Sequence, residues 1–256
     1  MPRPTTPQPT AVPLYRLAAN RCLPSHQPMD QDTLSWIVAN RPDFPEGDVL
    51  VLSRRSAVLI PRPGWFSAPR QAAGIHGVLH GARVSLLAGL LAEQQGLDHD
   101  QTTVLVAAAA VHDCRRRDDR DDPGHGARAA TWFQRHQDAV LALTGAPTPC
   151  LRAVRDAATA ISLHDVPYEH FTPPQDRLYR RSRVLVDLLR AADALDRYRL
   201  PAVRWWPDLD RLRVTVPTGL PQAAFDLMLT SEQARLDGAT DNQALAHASR
   251  RLTTNE

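Results

Sequence analysis

The chain contains no lysine, and all 30 of its basic residues are arginine. That excludes chemistry needing a primary amine, such as Schiff-base catalysis or the lysine contact of a Walker-type phosphate loop. With abundant Ala and Pro, the composition fits a GC-rich bacterial genome. Cysteine is scarce too. Cys22, Cys114 and Cys150 are too scattered for a zinc ribbon or a disulfide framework, which points to a reduced, cytoplasmic setting. Long apolar runs are also missing. The longest, VLVAAAAV at 104–111, falls far short of the roughly 20 residues of a membrane span, and the opening MPRPTTPQPT lacks the apolar segment of a signal peptide. The formal charge of +2 creates no global field toward nucleic acid or an anionic membrane, although local basic loops can still bind phosphate.

What is present is enough for one good-sized core with appendages: 256 residues, 43% of them apolar. Residues 1–13, rich in Pro and Thr, read as a flexible tail. Residues 14–70 read as a small α+β appendage. DTLSWIVANRP suggests a short helix near Asp32, and DVLVLSRRSAVLIPRP suggests two strands about a turn at Arg54-Arg55-Ser56. From residue 71 to 200 the pattern is successive helices. LHGARVSLLAGLLAEQQG carries His80, Val84, Leu87 and Leu91 on one stripe, with His76 one turn earlier. QTTVLVAAAAVHD is apolar nearly all round and is predicted to be the buried central helix. A charged loop follows, breaking at Pro123-Gly124 before a helix that opens near His125, and Asp122 is placed to fix that turn. LRAVRDAATAISLHD brings His164, and SRVLVDLLRAADALDRYRL puts Asp193 on an apolar stripe. Residues 201–256 are a mainly helical extension with a Trp-rich turn and a candidate strand pair.

Separate helical segments thus each present a His or Asp at a buried-looking position, in the order H…HD…H…H…D. Burying such groups is costly unless something pairs with them, and imidazole nitrogens with carboxylate oxygens suit a transition metal. The acidic run Asp118, Asp119, Asp121 and Asp122 lacks the order of a calcium loop and reads as a mainly solvated loop.

The strings HGARV, HD and AADALDR, with IHGVLHGARV, VHDCRRRDD and DPGHG, resemble the HD superfamily of metal-dependent phosphohydrolases over roughly residues 73–200. The resemblance implies an all-α bundle around a metal site. In it His80, His112, Asp113 and Asp193 hold one divalent ion (Fe, Mn, Co or Zn), and His125 and His164 hold a second, with Asp113 bridging. Many HD enzymes follow the dipeptide with Gly-Lys, whereas this chain has Cys114-Arg115-Arg116-Arg117. Arg116 is therefore assigned the phosphate-orienting role, which guanidinium can fill bidentately. His76 competes with His80 as ligand. The superfamily string favours His80 and leaves His76 to support the ligands, face the substrate or simply pack, while Arg83 contacts substrate, braces Asp193 or forms a surface ion pair.

The implied activity is hydrolysis of a nucleotide or other small phosphorylated metabolite by metal-activated water. His125 or His164 would act as general acid where it is not a ligand. The same six ligands also fit a mixed-valent di-iron oxygenase cleaving a C–C or C–P bond. A third reading is a metal-stiffened binding module whose aromatics in WFSAP (65–69) and RWWPDL (204–209) meet a partner, against the plainer reading that they pack the appendages on the core. The expected partner is a small phosphorylated substrate, not nucleic acid or a membrane, and a homo-oligomer is compatible.

Overall fold

Apolar periodicity and end signals together set the helices. The computed structural model describes residues 12–45 and 58–253, with backbone alone from 251. It opens with two short helices, α1 (Leu14–Ala19) and α2 (Gln31–Ala39), and the Asp30 carboxylate starts α2 by accepting from the Thr33 N–H at 2.7 Å. The single turn α3 (Pro69–Ala72) leads to α4 (Val78–Gln94) and α5 (His99–Val111), which begins with a reciprocal Asp98–Gln101 capping box. Next come α6 (His125–Leu141), α7 (Leu151–Leu163) and α8 (Pro173–Leu195), then α9 (Leu220–Leu236) and α10 (Asp241–Thr253). Among the described residues there is no strand, and no helix is long and apolar enough to cross a membrane.

Helix α5 is the axis of the bundle. It packs against α4, α6, α7 and α8, and every residue from Thr103 to Val111 is buried. Ala107–Ala110 make it thin, so neighbouring helices come close. A Cβ added at Gly81 of α4 would lie 2.5 Å from the Ala110 carbonyl oxygen, and one at Gly126 of α6 would lie 2.6 Å from that of Ile161 in α7. These glycines directly follow His80 and His125, so the close crossings seat both histidines.

A second apolar cluster joins the two ends of the chain. Leu14 of α1 and Leu34 and Ile37 of α2 pack with Tyr198, Trp206, and Phe225 and Met228 of α9. Trp206 also donates to the Leu200 carbonyl at 2.9 Å, and Trp65 packs on Trp132 of α6. The aromatics of 65–69 and 204–209 are thus largely engaged inside the molecule.

Several expectations need correction. The strand pair read over DVLVLSRRSAVLIPRP lies mostly outside the described residues, and Val58–Pro63, where described, is not strand; the described part of 14–70 is helix and turn, without an α+β character. No strand pair forms after residue 201 either. There Leu212, Val214 and Val216 alternate as a strand would, but they lie half-buried against the main core with no second strand among the described residues to bond. Helix α8 begins at Pro173, well before Ser182, behind a Thr172–Gln175 capping box, and is kinked where Ser182 leaves helical geometry and donates to Asp156 at 2.7 Å. His76 is not on α4. Gly77 starts that helix, at a spot where a Cβ would lie 2.1 Å from the Ala72 carbonyl oxygen, so the chain turns between the two histidines.

Gly81→Ala should cost about 1–3 kcal/mol of stability through overpacking at the α4–α5 crossing. Urea unfolding measures this, and an unchanged midpoint would mean the helices are not held that closely.

Candidate metal centre

The ends of α5 and α7 and the start of α6 meet beside α4 and α8, and each end carries a histidine. Backbone carbonyls near a helix terminus lack helical partners. Two of the histidines use this, His112 Nδ1 reaching the Ala109 carbonyl and His164 Nδ1 that of Ile161, while His125 at the start of α6 turns Nδ1 back to the Asp122 carbonyl of the preceding loop, each at 2.7 Å. A carbonyl can only accept, so each ring holds a proton on Nδ1, and in the neutral ring Nε2 carries the lone pair. His80 is fixed in the same way by a carboxylate, with Nδ1 2.8 Å from Asp196 Oδ2.

The four Nε2 atoms converge on Asp113. In one group His80 Nε2 lies 3.2 Å from His112 Nε2 and 3.4 Å from Asp193 Oδ1, and Asp113 Oδ2 is 3.6 and 3.8 Å from the two nitrogens. In the other, Asp113 Oδ1 lies 2.8 Å from His125 Nε2 and 3.3 Å from His164 Nε2, and those nitrogens are 3.0 Å apart. Metal–ligand bonds of about 2.1 Å place neighbouring donors roughly 3.0–3.4 Å apart in octahedral or tetrahedral geometry. The spacings fit, and two facing lone pairs 3 Å apart need a cation between them. The residues present therefore suit one ion in each group, with one carboxylate reaching both.

Electrostatics follows from the packing. Burial alone would raise the Asp113 carboxyl, but His112, His125 and Arg116 overcome it and hold it well below the carboxylate range. Enclosure likewise opposes ionisation of Asp193, and His112, His80 and Arg199 outweigh it. Burial pushes His164 down, and pushes His76 well down with help from Arg116 and Arg199. For His112 and His125 burial acts the same way, but the Asp113 carboxylate prevails and raises both.

All six expected ligands thus come together. His76 sits at the edge, with Nδ1 3.0 Å from both Asp113 Oδ2 and Arg199 Nη2, and it forms a further possible donor group with His80 and Asp113. Arg116 places Nη1 3.2 Å from His125 Nε2 and 3.7 Å from Asp113 Oδ1. Arg83 departs from expectation: it lies at 0% exposure, gripping Asp196 at 2.6 and 2.9 Å and Glu232 at 2.9 Å. It does not line the cavity and has no hydrogen bond to Asp193, and it meets the site through Asp196 and His80.

Three contributors were not recognised in the sequence. Asp196 and Arg199 follow Asp193 at steps of three, and Arg199, 2% exposed, brings Nη2 to 3.3 Å from His80 Nε2. Asp165 accepts from the N–H groups of Gly124 and Gly126 at 3.0 and 3.3 Å and so seats the start of α6 under His125. A visible signal was the repeat of the His-Asp dipeptide at 164–165.

The centre opens into a cavity of about 1120 Å³, lined by His76, Asp113, Arg116, His125, His164 and Asp193 on one side and by Tyr168, Arg190 and the 197–213 segment on others. Compared with protein-family models, curated proteins and solved structures, the chain matches none.

Replacing Arg83 by Met would leave Asp196 and Glu232 buried without their cation. The expected loss is about 3–5 kcal/mol in denaturant unfolding; a loss below about 1 kcal/mol, as for an exposed pair, would contradict the arrangement.

Proposed function

We propose that the protein is a metal-dependent phosphohydrolase of the HD type, acting on a nucleotide or another small phosphorylated metabolite. The observation that carries the reading is the convergence of four Nδ1-protonated imidazoles on the two oxygens of one carboxylate, Asp113, with Asp193 completing one group. His80, His112, Asp113 and Asp193 would hold one ion, and Asp113, His125 and His164 a second. Divalent ions held there supply Lewis acidity toward phosphoryl oxygens and lower the pKa of coordinated water.

The remaining work falls to side chains of the cavity wall. Arg116 and Arg199 flank the cluster, one near each donor group, and carry fixed positive charge where a phosphoryl group would be oriented. His125 and His164 aim Nε2 at Asp113 and keep Nδ1 on carbonyls, which supports ligand roles for both over a general-acid role. His76, partly open to the cavity, is then the imidazole best placed to exchange a proton with a leaving group. Nine arginines against seven carboxylates line the cavity, and with Asp113 and Asp193 assigned to the ions the rest of the wall has an excess of positive charge that favours an anionic substrate.

A screen of phosphomonoesters, phosphodiesters and nucleotides with added Mn²⁺, Co²⁺, Zn²⁺ or Fe²⁺ tests this. Metal-dependent phosphate or ester release should fall at least about 100-fold in His112→Ala and Asp113→Ala while both stay folded. Full activity in either would overturn the site assignment, and oxygen-dependent substrate loss with bound iron would replace hydrolysis by oxidative cleavage.

A further inference from the structure

Across the cavity from the histidines, one ring is held between two cations. The Arg190 guanidinium lies over the Tyr168 ring at 3.8 Å from its centroid and that of Arg213 at 3.6 Å. At such distances the two cannot share a face, so they sandwich the tyrosine. The Tyr168 hydroxyl donates to Asp187 Oδ1 at 2.6 Å, and Tyr179 donates to the same carboxylate, so the ring cannot turn away. Arg190 uses only Nη1, on the Val166 and Leu163 carbonyls, and Arg213 uses only Nη1, on the Tyr179 hydroxyl. Among the described residues neither forms a salt bridge, and in each Nε and Nη2 make no hydrogen bond. Two cations therefore face one cavity with a single buried carboxylate behind them and four donor groups open.

The position of Arg190 relative to the metal centre is set by one helix. Asp187, Arg190, Asp193 and Arg197 recur at steps of three and four along α8 and the turn after it, and all four line the cavity. Arg190 thus stands about 4.5 Å along the axis from the ligand Asp193. Arg197 likewise has no carboxylate partner among the described residues. The cavity is the size of a whole-ligand pocket, far beyond what a single phosphoryl group fills.

We infer that the Arg190–Tyr168–Arg213 stack is a second anion subsite, so that the substrate carries a second phosphate-type group in addition to the one presented to the metal centre. This rests on the phosphohydrolase reading. The stack fixes specificity by offering the distal phosphate the open Nε and Nη2 donors of Arg190 and Arg213 along the edge of the ring, and molecules with a single phosphate leave it unfilled.

The probes are methylphosphonate and straight-chain alkane-α,ω-bisphosphonates of two to six carbons, which resist hydrolysis. They are titrated calorimetrically into Mn²⁺-treated wild type, Arg190→Gln and Arg213→Gln, with bound manganese measured on each sample. Arg213 is exposed, so its variant keeps the fold, and circular dichroism checks both. At least one bisphosphonate should bind about tenfold or more tighter than methylphosphonate, the scale of one charge-assisted contact. Each variant should lose most of that gain and keep its affinity for methylphosphonate. Equal affinity for both probe types in wild type, or variants that weaken both equally, would overturn the subsite. Manganese bound without a bisphosphonate gain removes the subsite alone. An arginine-dependent gain in protein that binds no manganese removes the metal reading alone.

Discussion

Four imidazole rings whose Nδ1 protons are already committed cannot point their Nε2 atoms at one another across 3.0–3.2 Å unless positive charge lies between them. That constraint organises the centre of the molecule. Histidines 112 and 164 obtain their orientation from helix C-termini, where carbonyls three residues back have lost their helical partners, and His125 obtains it from the Asp122 carbonyl in the loop that leads into α6. The alanine-rich helix therefore ends in His112-Asp113 for a physical reason: its terminus supplies the acceptor that fixes the ring, and the next side chain is the carboxylate both donor groups share. A ligand set mounted on rigid helix ends and tied by outer contacts keeps its aim better than one on loops.

The fourth histidine shows how far the support reaches. His80 lies inside α4, away from free carbonyls, and depends on Asp196, which Arg83 and His80 together hold ionised at about 2 in spite of burial. Arg83 continues to Glu232 on α9, and Arg199 continues to the Ile75 carbonyl at 2.6 Å. Helix α9 and the segment before α4 are in this way connected to one nitrogen of the donor cluster. The second apolar cluster, built from both ends of the chain, sits behind that network.

Much of this was legible in the sequence. The helical course of residues 78–195 and the central place of the alanine helix follow from apolar periodicity, which also marks the histidines and aspartates from His80 to Asp193 as buried candidates, while their grouping into one donor set was what the HD resemblance implied. Asp196 and Arg199 were not, because each is one of many charged residues on a helix end, and only the fold brings Arg83 to meet them. His76 was misplaced because Gly77, with a backbone oxygen where a side chain would sit, breaks the helix that the His76–His80 spacing suggested. The alternation at Leu212, Val214 and Val216 describes an extended chain lying on a core; a strand also needs a neighbour, which local pattern does not report.

The most direct test of the account is the number of metal ions bound per chain, measured by elemental analysis on protein prepared without chelators and under low oxygen, for wild type beside His125→Ala. The account predicts about two ions in the wild type and about one in the variant, since removing His125 dismantles one donor group and leaves the other intact. A wild-type chain that stays folded yet binds no divalent ion, even after incubation with each candidate metal, would contradict it.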